Sequence, residues 1–140
     1  MADLNPLIRL RKYRVEEKQK ILADLFRQTE LLEGRKRALL SEVDREQELA
    51  EMSGDINSLV AFAAYAGRVH AGIEKLNIQI ARMEPRILKA QEEMREAFSE
   101  QKKAEIIQEQ RDKEEADEIA KKENTDLDEI GVEVFRRKEE

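Results

Sequence analysis

Apolar residues in this chain return at alternating steps of four and three, and that period decides what it can fold into. Starting from Leu4, the steps visit Ile8, Arg11, Val15, Lys18, Leu22, Leu25, Thr29, Leu32, Lys36, Leu39, Val43, Glu46 and Ala50, and nine of these fourteen positions are apolar. A second series visits Leu59, Phe62, Ala66, Val69, Ile73, Leu76, Ile80, Met83, Ile87, Ala90, Met94, Ala97, Gln101 and Ala104, with thirteen of fourteen apolar. A mean spacing of 3.5 residues gathers such side chains on one stripe of a helix, the seam of a coiled coil, whereas a half-buried strand needs a period of two. Leu7, Ile21, Phe26, Leu40 and Leu49 sit beside the first seam and broaden it, which predicts a second contact face on that helix.

Composition supports the same choice. Of 140 residues, 41% are charged and 40% hydrophobic, too apolar for a disordered polyelectrolyte and too charged for a compact globule. Aromatics make up 4%, Cys and Trp are absent and Pro occurs twice, so a sandwich, a barrel or a disulfide scaffold has little to be built from. The expected fold is all-α, an elongated antiparallel two-helix coiled-coil hairpin with the second helix overhanging. Met52-Ser53-Gly54-Asp55 holds a helix stop followed by capping residues and places the turn.

The expected boundaries are helix one over about 3–52, a turn over about 53–55 and helix two over about 56–122, so that 1–122 is the hairpin and 123–140 a mostly disordered tail. Continuing the second register gives Gln108, Arg111, Glu115 and Glu118, all polar, so the apolar seam ends near Ala104. In an antiparallel pairing Leu4 lies beside that place, which predicts a paired part ~70 Å long, a second helix of ~100 Å and a charged overhang of ~20 residues. Pro85 falls at an outward position of a seam that keeps its phase, which predicts a kink and not a break.

The net charge of −6 is unevenly placed: residues 1–52 and 53–98 are each balanced, and the whole acidic excess follows Phe98. Against it stands a basic start to the first helix, with Arg9, Arg11, Lys12, Arg14, Lys18 and Lys20. The acidic total argues against nucleic acid as a partner, and the acidic overhang beside the basic cluster argues against direct binding to anionic lipid. A structural reading pairs the cluster with Glu92, Glu93, Glu96 and Glu100 to set register.

A two-helix hairpin offers no pocket that excludes water, so no enzyme activity, cofactor or small-molecule substrate is expected. Gly67-Arg68-Val69-His70-Ala71-Gly72 lacks the Gly-Lys-Ser/Thr ending of a phosphate loop, and one His without Cys makes a transition-metal site unexpected. Acidic neighbours such as Glu16-Glu17 point ~100° apart on a helix and do not face one another. No stretch approaches the ~20 apolar residues of a membrane span, and the opening lacks an apolar signal-peptide core, so the expected compartment is the cytoplasm.

Four segments in order, LIRLRKYRVEEKQKILADL from Leu7, YAGRVHAGIEKLNIQI from Tyr65, KAEII from Lys103 and LDEIG from Leu127, resemble the FliJ family of flagellar export proteins, and less closely its virulence type III secretion counterparts. The resemblance implies a coiled coil like the central stalk of rotary ATPases, standing in the hexameric flagellar export ATPase and promoting its assembly and hydrolysis. It also implies partnership with that ATPase's regulator, with the membrane export gate protein and with export chaperones. The chain would then work at the cytoplasmic face of the inner membrane near the flagellar basal body, held to the membrane through proteins.

By location, the residues expected to meet the ring are Arg9, Arg11, Lys12 and Arg14 with Glu109, Asp112 and Glu115. Phe62, Tyr65 and His70, near the turn where aromatics are otherwise scarce, are expected to meet the gate or chaperones. Two other readings fit the residues: a self-associating structural scaffold whose Lys36 and Glu46 fix register, and a holdase-type chaperone using the broad apolar edge of helix one.

Overall fold

The computed structural model describes residues 3–139. It is all-α: α1 runs Asn5–Ser53 (49 residues) and α2 runs Ile56–Glu139 (84 residues), with no strand among the described residues. The link between them is Gly54 and Asp55. Gly54 adopts φ 65°, the left-handed conformation that a Cβ disfavours, and so closes α1. Asp55 then opens α2, its carboxylate accepting the free Asn57 amide at 3.1 Å while its carbonyl accepts the Leu59 amide at 3.1 Å.

The chain forms two compact units, one from Glu16–Glu96 and one from Met1–Val15 with Ala97–Glu140. The first is an antiparallel pair of helical segments joined by the turn. Its buried residues are Leu22, Val43 and Ala50 from α1 and Val69, Ile73, Met83 and Ala90 from α2, every one of them a seam position of the sequence. Val43, Val69 and Ile73 touch as a cluster, with Leu39, Phe62 and Tyr65 packed against it. Two helices can cover only one stripe of each other, so no large side chain among the described residues is fully buried and the flanking Ile21, Phe26, Leu40 and Leu49 remain exposed. Lys18 and Glu93 pair across the helices at 3.1 Å; half in water, such a pair adds register more than stability.

In the second unit Val15 and Ala104 are buried and Ile8 half-buried. Arg11 reaches Glu100 at 3.9 Å. The Gln108 carbonyl oxygen accepts the Leu4 amide at 2.9 Å, so α2 supplies a side-chain cap to one of the free donors at the start of α1, worth about 1 kcal/mol. The Asp3 carboxylate takes the next, the Asn5 amide, at 3.0 Å. Gln108 and Arg111 stay half-buried, so pairing outlasts the apolar seam by one polar turn, and every residue from Asp112 to Glu139 is exposed.

The structure differs from the expectation of an unstructured tail after residue 122, since α2 continues to Glu139. Gly131 keeps a helical backbone with no positive φ, and no Pro follows Pro85. Thr125 bonds the Lys121 carbonyl at 2.9 Å, Arg137 meets Glu133 at 3.2 Å, and Arg136, Arg137 and Lys138 place positive charge in the last turn, where the helix dipole favours it. The helix also runs unbroken through Pro85.

Candidate partner-binding surfaces

The first turns of α1 separate the basic cluster by role. Arg11 is half-buried and turned to Glu100, while Arg9, Lys12 and Arg14 are exposed. Lys12 also contributes to the field at Glu105, whose carboxyl is held below its ordinary range by hydrogen bonds from Gln101 and then Lys102. In the same unit Glu109 and Asp112 line an open groove of 510 Å³ with Ile8, Ile106 and Gln108. Asp112 accepts the Gln108 amide at 2.8 Å, so the residue that caps α1 is itself positioned by an acidic neighbour one turn on. Glu115 lies beyond that groove, exposed on the unpaired part of α2. The start of α1 therefore offers Arg9, Lys12 and Arg14 as exposed cations, and the unit adds a small groove with an acidic rim and a solvated helical extension.

In the Glu16–Glu96 unit, Phe62 and Tyr65 are half-buried against the Val43 cluster and His70 is exposed, so two of the three residues expected near the turn share a site and the third does not. Phe62 and Tyr65 line a groove of 420 Å³ with Glu46, Leu49, Ser58 and Ala61. The Tyr65 hydroxyl donates to the Glu42 carboxylate, which, with some burial and the charges of Glu42 and Glu46, raises its pKa above the ordinary value. Around that groove Leu49, Met52, Ile56, Leu59 and Val60 are exposed, Met52 to 83% and Ile56 to 74%.

Sequence reasoning directed to scarce aromatics passed over this aliphatic surface. The signal was present: Met52 and Ile56 flank Gly54, and an apolar residue beside a turn has no second helix to cover it. Among the described residues no group of three or more His, Cys, Asp or Glu could hold a metal ion, and no helix is long and apolar enough to cross a membrane. What these surfaces can do chemically is bind: open grooves with apolar floors and charged rims suit helices and peptide segments.

The family model of the flagellar FliJ protein matches residues 1–140. No curated protein and no solved structure matches the chain.

Proposed function

The chain belongs to the flagellar FliJ family, which gives it a role connected with flagellar protein export, and from that premise we propose that it serves as a non-enzymatic stalk. In this reading it docks in the hexameric export ATPase, promotes assembly and activity of the ring, and links it to the ATPase regulator, the membrane export gate protein and export chaperones. It acts in the cytoplasm at the face of the inner membrane near the basal body.

One observation carries the reading. Residues 113–139 form an exposed stretch of α2 past the contact of Gln108 with the start of α1, and the same unit carries the exposed cations Arg9, Lys12 and Arg14. A helical extension with charged faces makes contacts of the solvated, rim type, which hold a partner while allowing it to rearrange; a wide apolar interface would lock a cycling ring in one state. Contacts by Arg9, Lys12, Arg14, Glu109, Asp112 and Glu115 to the ring, and by Phe62, Tyr65 and His70 to the gate or chaperones, follow from the same reading. Arg11 contributes as the brace that fixes α1 to Glu100.

The test is the ATPase rate of the purified export ATPase with and without this chain. The expected result is stimulation that is lost on reversing Arg9, Lys12 and Arg14 to Glu, with motility lost in cells carrying the same change. A chain that neither binds nor stimulates the ring overturns the proposal.

A further inference from the structure

Three arginines on one flank of the Glu16–Glu96 unit have no ion-pair partner among the described residues. Arg35 of α1 and Arg82 and Arg86 of α2 line an open groove of 390 Å³, with Leu31, Leu32 and Met83 among the other walls and no carboxylate. Arg11, Arg27, Arg37, Arg95 and Arg137 each pair with a carboxylate, whereas Arg35, Arg82 and Arg86 are gathered around one groove that has none. Arg82 and Arg86 stand four residues apart on one helix, where like charges repel, so the fold by itself gains nothing from this arrangement. Leu31 is 64% exposed between them. An apolar floor with a guanidinium rim suits a helix that carries an aliphatic stripe between rows of carboxylates, because the planar fork of Arg pairs with a carboxylate through two bonds.

The same chain carries such a helix, also without a partner. At ~100° per residue, Ala116, Ile119, Ala120, Leu127, Ile130 and Val134 fall within about one third of the circumference of α2, interrupted by Glu123. Ile119, Leu127, Ile130 and Val134 are all exposed. Asp126 and Glu133 border the stripe on one side, Asp117 and Asp128 on the other. A helix meant to remain solvated on all sides has no need of an aliphatic stripe.

We propose that the groove of Arg35, Arg82 and Arg86 accepts the 112–139 helix of a second copy of this chain, aliphatic stripe on Leu31 and Leu32, carboxylates on the three guanidiniums. The contact is small and ringed by charge, so it is weak, salt-sensitive and reversible. It does not depend on the ATPase reading. Where that reading also holds, ring and second copy compete for one extension, and the self-contact shields the stripe until a partner takes it.

Sedimentation equilibrium of the full chain at low and high salt tests this. The expected result is a mass that rises with protein concentration at low salt and falls back at ~0.5 M salt, over which the Debye length shrinks to a few ångströms. R35E/R82E/R86E is expected to weaken association by at least ~10-fold, and the milder R35Q/R82Q/R86Q by less; all six changes are at groove-rim side chains, and circular dichroism checks that each variant stays helical. A labelled peptide of residues 112–139 is expected to bind the wild-type chain and not the Glu variant. Mixing the Glu variant with a D117K/D126K/D128K/E133K chain is expected to restore association. A chain that stays monomeric at every concentration with no peptide binding, or that associates equally well with all three arginines reversed, overturns the proposal; either result leaves ATPase stimulation to be read separately.

Discussion

At the scale of single residues, stability rests on a few side chains that are well covered by one neighbour helix only. Ile73 is 6% exposed at the centre of the Val43 cluster, so Ile73→Ala is expected to cost about 2–4 kcal/mol in chemical denaturation, the range for deleting a buried aliphatic side chain. A change at Leu40, exposed beside the seam, should stay within about 0.5 kcal/mol. Tyr65 brings a pH dependence. Its folded pKa is raised, chiefly because its hydroxyl donates to Glu42, so its contribution to stability is present below the ordinary tyrosine value and is lost as the pH rises through the folded value. Wild type should therefore weaken in alkaline solution relative to Y65F, measured as thermal midpoints across the range; parallel curves for the two would discard the hydrogen bond. The half-buried arginine at position 11 shows what single residues hid from the sequence. Its number in the heptad marked it as a seam position, yet only its distance to Glu100 separates a register brace from the exposed cations around it.

At the scale of elements, each helix was legible from the period because every buried residue of both units falls on a step of four or three from Leu4 or Leu59. The turn was legible from Gly54, since left-handed backbone is a local property of one residue. The end of α2 was not. After Ala104 the seam turns polar, and a pattern argument sees only a lost partner; the helix nevertheless continues to Glu139 because local propensity, side-chain pairs and a basic last turn act without any partner. Pro85 gives this scale its prediction. It removes a backbone bond inside a continuous helix, at a usual cost of ~3 kcal/mol, so Pro85→Ala is expected to raise stability by up to that amount in urea denaturation. A destabilised P85A chain would mean that the local geometry imposed by the ring is needed for seam packing on both sides of it.

At the scale of the whole molecule, packing separates covered surface from surface left to solvent. Because every residue from Asp112 to Glu139 is exposed, a chain ending at Arg111 is expected to melt within about 0.5 kcal/mol of the full chain while losing stimulation of the export ATPase and self-association alike. If the shortened chain still stimulates fully, the extension is not the contact with the ring. Family membership came from four short segments spread over the chain, and the family model matches residues 1–140. The candidate surfaces were only partly visible. Phe62 and Tyr65 were found through their rarity, while the aliphatic surface around Met52 and Ile56 and the groove of Arg35, Arg82 and Arg86 were not, because the groove takes its residues from two helices more than forty positions apart in sequence. The seams, the turn and the helical class could all be read along one chain, since they follow from local propensity and a period, whereas the length of α2 could not. Which charges neutralise one another across the pair and which are left for a partner emerged with the packed helices, because pairing depends on distances between helices, and a one-dimensional pattern carries none.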